Sequence, residues 1–153
     1  MGTQQILLIV LSVIIVGIAV AVGITMFNAQ ATNSNRQAIV GDMNNLASSA
    51  LAFYKTPETH GGAGNVSGWG TTPTVNKIGM WLGYDWTGTS CSTGNGTYTI
   101  TLAADVVTIV GCGTMEGNVS AFVNTPAANG PGKVQAIMTI TGQTDAITMV
   151  LQN

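Results

Sequence analysis

Charged side chains are scarce in this sequence. Asp, Glu, Lys and Arg make up 7% of 153 residues, whereas about 25% is usual for a soluble globular domain. Four basic and six acidic residues give a net charge of -2, which excludes the dense positive surface with which proteins bind nucleic acid or anionic lipid. So weakly charged a monomer would be poorly protected against self-association. That liability disappears for a protein that polymerises.

Side chains suited to catalysis or metal binding are equally few. His60 is the only histidine, and its glycine-rich surroundings indicate a solvated loop. A catalytic base needs a nucleophile and an orienting partner, and neither is evident. The acidic residues are scattered, and the glycine-rich stretches lack the Lys-Ser/Thr ending of a phosphate-binding loop. We therefore expect no enzymatic activity, no cofactor and no metal.

The longest apolar run lies near the N-terminus, where no charged side chain precedes Arg36. Between Ile6 and Phe27, which we call the apolar segment, the only polar residues are Ser12 and Thr25. As a helix rising about 1.5 Å per residue, the segment reaches roughly 33 Å and can cross a bilayer.

A cleaved secretory signal is an alternative interpretation of this run. Ala29-Gln30-Ala31 resembles a cleavage site, but no basic residue precedes the apolar run, and the run is longer than a usual signal core. These features favour a retained segment. Because nothing basic precedes it, a basic leader removed before Met1 is a further hypothesis.

After the apolar segment the pattern becomes amphipathic. Apolar residues recur at spacings of three and four, which indicates a helix with one apolar face; they are Ile39, Met43, Leu46, Ala50 and Phe53. Pro57 ends the pattern. We predict one helix from Ile6 to Tyr54.

The remaining chain predicts a β-rich domain. Residues 56–96 are rich in glycine and read as loop, with a short helical turn around Lys77 to Leu82. Two hairpins of β-branched residues follow; the strands are Thr97 to Leu102, Val106 to Val110, Val134 to Thr141 and Ala146 to Leu151. The prediction is an α+β fold, with a helical domain 1–55 and a globular domain 56–153. The amphipathic half of the helix should pack on a small antiparallel sheet.

An uncharged polar start, an apolar stretch and a seamless amphipathic half-helix together resemble the type IV pilins over residues 1–54. The resemblance implies a homopolymer of identical subunits in an extracellular filament at the cell surface, with the unassembled subunit held in the membrane. Two positions depart from the family pattern. Gln5 stands where pilins usually have a glutamate that pairs with a neighbour's N-terminal amine, and Met1 stands where a methylated phenylalanine is usual.

The resemblance also indicates which residues take part in assembly. They are Met1, Gln5 and Ile6 at the start of the helix, and the small residues Gly17, Ala21 and Gly23 within it. Small residues four apart allow neighbouring helices to approach closely. No proline lies between Met1 and Phe53, so we expect the helix to stay unbroken in the filament.

Cys91 and Cys112 are the only cysteines. Pilin domains usually carry a disulfide, and an even count in an exported protein favours one; we predict that the two are joined. A metal pair is the competing interpretation, but the chain offers too few further ligands.

The densest group of aromatic residues is Trp81, Tyr84 and Trp86, with Trp69 nearby. Filling of the core is the favoured interpretation, and a platform for glycans or surface partners is the alternative. Three asparagines match the N-glycosylation motif, namely Asn65, Asn95 and Asn118.

Two other functions fit the same features. One is an extracellular binding domain anchored by a single span, and the other is a pseudopilin of a secretion system. The sequence does not separate a pseudopilin from a pilus subunit, nor adhesion from motility or DNA uptake.

Overall fold

A computed structural model describes residues 2–69, 74–116 and 133–152. Within these ranges the chain is α+β, as predicted: a long helix is followed by short helical turns and one antiparallel sheet of six strands. The helices are α1 (Thr3–Lys55) and α2 (Thr74–Trp81), with 3-10 turns at Glu58–His60 and Ser67–Trp69. The strands are β1 (Trp86–Thr87), β2 (Ser90–Ser92), β3 (Gly96–Ala103), β4 (Val106–Glu116), β5 (Lys133–Thr141) and β6 (Ala146–Gln152).

The sheet is a meander in which each strand pairs with its neighbour in sequence, in the order β1 to β6. The two predicted hairpins are β3–β4 and β5–β6. Their turns contain Ala104 and Asp145 in the left-handed region, with φ of 51° and 53°. The strands β1 and β2 lie in the stretch that was predicted to be loop. They are too short to show a β pattern of their own, and they form because β3 offers a paired edge.

Helix α1 runs without a break from Thr3 to Lys55, which confirms the predicted helix in the isolated subunit. It ends where Thr56 donates both its backbone N–H and its hydroxyl to the carbonyl of Ala52, at 3.0 and 2.7 Å. Pro57 follows and cannot continue the helix. By compactness the chain divides into Met1–Ser34 and Asn35–Asn153, which we call the N-terminal unit and the globular unit. The functional division at residue 55 remains a prediction.

In the globular unit the amphipathic half of α1 packs on one face of the sheet. Its predicted apolar stripe is buried, and Ala47 and Tyr54 are buried beside it. The sheet contributes buried side chains from alternate positions, as expected for a half-buried surface; they are Tyr98, Ile100, Val107, Ile109, Ala136, Met138 and Ile140. The predicted packing of the helix on the sheet is confirmed.

Two glycines, Gly111 in β4 and Gly142 in the β5–β6 turn, bring the backbone close to the helix. A Cβ added at Gly111 would lie 2.9 Å from the Met43 sulfur and 3.2 Å from the Ile39 side chain. One added at Gly142 would lie between 2.5 and 2.8 Å from atoms of the Tyr54 ring. Because protein interiors are close-packed, larger residues at these positions would push the helix and the sheet apart.

Asp105, in the β3–β4 turn, fastens two neighbouring loops. Its backbone carbonyl accepts a hydrogen bond from the Trp69 indole N–H at 2.9 Å, and its carboxylate accepts from the backbone N–H of Gly68 and of Gln143 at 3.2 and 3.3 Å. Trp69 is fully buried and contacts the Tyr54 ring, with 4.9 Å between centroids. The loop after α1 is therefore held at the same place as the β5–β6 turn.

Candidate assembly helix and polar anchor

The apolar segment is exposed along its whole length. Every large apolar side chain from Ile6 to Phe27 keeps between 51% and 72% of its surface accessible. The helix contains an 18-residue window with a mean hydropathy of 3.2, none of it buried. Burying a large aliphatic side chain stabilises by about 1.5–3 kcal/mol, so this surface favours a covering of lipid or protein. By length and composition the helix is able to cross a membrane.

The polar residues of the apolar segment are satisfied inside the helix. The Ser12 hydroxyl donates to the carbonyl of Ile9, and the Thr25 hydroxyl donates to the carbonyl of Val22, both at 2.8 Å. An unpaired polar group costs several kcal/mol in apolar surroundings. These local hydrogen bonds make the segment compatible with a dry environment on every side.

The predicted assembly residues lie on the exposed surface of α1. Gln5, Ile6, Gly17, Ala21 and Gly23 are all helical and accessible. Met1 lies outside the described residues. A Cβ added at Gly17 or Gly23 would meet nothing within 4 Å, so the fold of the subunit does not require these glycines, although each costs the helix about 1 kcal/mol relative to alanine.

A polar network in the globular unit is centred on Asp42, on the flank of the buried stripe. Its carboxylate accepts hydrogen bonds from the Tyr98 hydroxyl at 2.7 Å and from the Asn95 side-chain amide at 2.9 Å. The Asn35 amide extends the network by donating to the carbonyl of Asn95 at 2.8 Å. We call these four residues the polar anchor. It fixes α1 to the turn between β2 and β3.

Two titratable groups at the polar anchor, the Tyr98 hydroxyl and the Cys91 thiol, have raised pKa values. Burial and the hydrogen bond to Asp42 raise the pKa of Tyr98 well above its ordinary value. Burial also raises the pKa of the Cys91 thiol to about 11, and the Asp42 charge adds to the increase. Because the ordinary pKa values of 10.0 and 9.0 already favour the neutral forms at physiological pH, the shifts extend neutrality to more alkaline pH.

The predicted disulfide between Cys91 and Cys112 is not seen, and both residues are buried. Cys91 pairs with Tyr98 on one side of β3, while Cys112 pairs with Thr97 on the other side. Strands are about 4.8 Å apart, so β2 and β4 are separated by about 10 Å, beyond the roughly 7 Å limit for bridged Cα atoms. The alternation of Thr97 and Tyr98 also places the cysteines on opposite faces of the sheet.

The predicted aromatic cluster divides between core and surface. Trp69 is fully buried, and Tyr84 and Trp86 are partly buried against the core. Trp81 is 41% exposed and contacts the edge of Phe53, with 5.7 Å between ring centroids. Core filling therefore describes Trp69 well, whereas Trp81 also contributes to the surface.

Two of the three predicted glycosylation motifs lie within the described residues. Asn65 is exposed on the loop between α1 and α2, whereas Asn95 is exposed but belongs to the polar anchor. Asn118 lies outside the described residues. His60 is exposed, and its Nδ1 lies 3.1 Å from the Thr59 hydroxyl oxygen.

Sequence reasoning missed the polar anchor. The periodicity of α1 leaves Asp42 off the apolar stripe, and nothing in the sequence indicated which strand it would meet. The β-branched run that contains Tyr98 predicted a strand, but it did not identify a hydrogen-bond partner for the Tyr98 hydroxyl.

No protein-family model, curated protein or solved structure matches this chain.

Proposed function

We propose that this chain is a structural subunit of an extracellular filament of the type IV pilin kind, which polymerises through its apolar segment. The observation that carries the proposal is the change in burial along α1. The same helix presents an uncharged, exposed apolar surface from Ile6 to Phe27 and buries an apolar stripe in its own domain from Ile39 to Tyr54. The first part therefore needs an external partner, and the second does not.

The glycines favour other helices over lipid as the final partner of the apolar segment. Lipid chains adapt to any apolar side chain, so a simple membrane anchor gains nothing from Gly17 or Gly23. Packed helices do gain, because small residues allow a closer approach of their backbones. Gly17 and Ala21 are four residues apart and share a helix face, which suits contact with a second copy of the same helix.

The sheet surface provides a second argument for self-association. Strand β6 is an edge of the described sheet, and Ile147, Met149 and Leu151 remain between 37% and 43% exposed. Their cross-strand partners Ile140, Met138 and Ala136 are fully buried on the face that α1 covers. An apolar edge with few charges favours association with another chain. In a filament, neighbouring globular units would cover this edge.

The proposal is tested by electron microscopy of cell-surface preparations, with the fibres identified by mass spectrometry. We expect fibres of uniform width that contain this chain. Gly17→Leu should abolish the fibres while the protein still reaches the membrane fraction. Val16→Leu, which adds one methylene at the adjacent position, should leave fibres intact and serves as the matched control.

A membrane-anchored monomer would give a different result. It would yield no fibres from wild-type cells, and Gly17→Leu would then change nothing that can be measured at the cell surface. A pseudopilin would remain in the cell envelope with its secretion machinery and would likewise give no long surface fibres. Either outcome would refute the filament proposal.

A further inference from the structure

We propose that Asn65 is an N-glycosylation site of the globular unit, and that Asn95 stays unmodified although it carries the same sequence motif. The inference does not depend on polymerisation, because it holds for any exported form of this domain. It rests on the difference between the surroundings of the two side-chain amides.

The Asn65 motif is open to an enzyme over its full length. Asn65, Val66 and Ser67 are all exposed. Within the described residues, the Asn65 side chain makes no hydrogen bond, so its amide nitrogen is available for reaction. The motif is a surface loop, which is the setting that this modification requires.

The loop that carries Asn65 is held firmly on both sides. The backbone N–H of Asn65 donates to the carbonyl of Tyr54 at 2.9 Å, and the flanking Ala63 and Trp69 are buried. Asn65 itself is in the left-handed region with φ of 59°, a conformation that asparagine adopts more readily than most residues. The acceptor amide is therefore presented from a fixed backbone and does not depend on unfolding of the domain.

The residues of the Asn95 motif are engaged in hydrogen bonds and strand pairing within the domain. Its side-chain nitrogen donates to the Asp42 carboxylate at 2.9 Å, and its backbone carbonyl accepts from Asn35. Gly96 is buried, and Thr97 is paired with Ser92 and Cys112 inside the sheet. A sugar on Asn95 would disrupt the polar anchor, and the enzyme would have to reach a hydroxyl-bearing residue that is locked in a strand.

The reaction forms one bond and breaks one. The Asn65 amide nitrogen bonds to the anomeric carbon of a glycan carried on a lipid phosphate, which is the co-reactant. The bond between that carbon and the phosphate oxygen breaks, and the lipid phosphate leaves with the electron pair. The amide loses one of its two protons, and nothing is oxidised or reduced.

The surface around Asn65 suits an attached sugar. Lys55, Gln143 and Asp145 line a shallow polar depression together with Asn65, and Lys55 pairs with Asp145 at 2.6 Å. These groups offer donors and acceptors to sugar hydroxyls. In a chain with only 7% charged residues, a glycan would also supply hydration that charged side chains provide in other proteins.

The test is intact-mass spectrometry and peptide mapping of the full chain, purified from membranes or surface preparations of its own host. All variants carry Asn118→Gln, so that only two motifs remain. We expect a mass increment of at least one sugar residue, mapped to Asn65. Asn65→Gln and Ser67→Ala should each remove it, whereas Ser67→Thr and Asn95→Gln should retain it.

The comparison of Ser67→Ala with Ser67→Thr keeps the test independent of folding. Ser67→Ala preserves Asn65 and its backbone conformation while removing the hydroxyl that the motif needs. A bare Asn65 in the host-derived protein would overturn the proposal. A sugar mapped to Asn95 would overturn it as well, because it would show that the polar anchor does not protect that amide.

Discussion

Removal of the Asp42 carboxylate tests whether the polar anchor holds α1 to the sheet. Asp42→Ala deletes the acceptor for both the Tyr98 hydroxyl and the Asn95 amide. The two lost hydrogen bonds are unequal. Asn95 is exposed, so water replaces its partner at little cost. Tyr98 is fully buried, and its hydroxyl would lose a charged acceptor where water has poor access.

The magnitude follows from these surroundings. A hydrogen bond to a charged group contributes about 1.5–3 kcal/mol, and leaving a buried donor unpaired costs about 1–3 kcal/mol. We expect Asp42→Ala to lower the free energy of unfolding of the globular unit by about 2–3 kcal/mol. Tyr98→Phe leaves Asp42 with Asn95 and solvent as partners, so its cost should be smaller, about 1–2 kcal/mol. The double variant should be less destabilised than the sum, with a coupling of about 1 kcal/mol or more.

Urea unfolding of the full chain in detergent micelles provides the assay, followed by tryptophan fluorescence. All three tryptophans belong to the globular unit. Lys55→Met is the control, because the ion pair with Asp145 is exposed by 57% and 50% and such pairs contribute at most about 1 kcal/mol. Our reasoning is wrong if Asp42→Ala costs no more than Lys55→Met, or if the effects at Asp42 and Tyr98 are additive.

Four further predictions follow from the same structure. Gly142→Ala should destabilise by about 1–3 kcal/mol, because the added Cβ clashes with the buried Tyr54 ring. Gly41→Ala should stabilise α1 by up to about 1 kcal/mol, because its added Cβ meets nothing within 4 Å. Calorimetry should show shifts of opposite sign in the unfolding temperature of the two variants. Without reductant, Cys91 and Cys112 should both be labelled by a thiol reagent after unfolding and only slowly before it, and a bridged pair would give no labelling in either state. Burial raises the pKa of the Cys91 thiol from 9.0 to about 11 in the folded state. The neutral thiol therefore contributes fully to the free energy of unfolding below pH 9, and this contribution is lost between pH 9 and about 11. Urea midpoints should fall over that interval, and Cys91→Ala should flatten the decline. In the proposed filament, Gln5→Ala should lower filament yield, because Gln5 stands where pilins usually have a glutamate that takes part in assembly; an unchanged yield on electron-microscopy grids would contradict this.

Much of the fold could be predicted because its signals are local. The spacing of Ile39, Met43 and Leu46 showed which side of α1 is buried. The β-branched runs marked three strands to within one residue at each end, whereas β4 continues six residues beyond its predicted end at Val110. Strands β1 and β2 were missed because they form by pairing, β2 with β3 and β1 with β2. Their two and three residues carry no sequence pattern that would indicate this pairing. The error on the cysteines has a related cause: their number favours a bridge, but only the strand register shows that β3 separates them.

The candidate site divides in the same way. The apolar segment was evident from composition alone, because an uncharged apolar run from Ile6 to Phe27 is stable only where lipid or protein covers it. The polar anchor was not evident, since Asp42 and Tyr98 are 56 positions apart and meet only after the sheet has formed. The difference between Asn65 and Asn95 was equally hidden, because identical motifs acquire different surroundings through tertiary contacts.

The meander order of the sheet has a consequence for the kinetics of folding. Each strand that the structure describes pairs with its sequence neighbour. The hairpins with short turns, such as β3–β4 and β5–β6, can therefore close locally, on a timescale of about 1–10 μs for an isolated hairpin. The contacts that are distant in sequence are those between α1 and the strands, and such contacts slow folding. Docking of the helix on a preformed sheet would then be the late step. Substitutions at the helix–sheet contact, such as Gly142→Ala, would therefore accelerate unfolding while leaving the folding rate nearly unchanged.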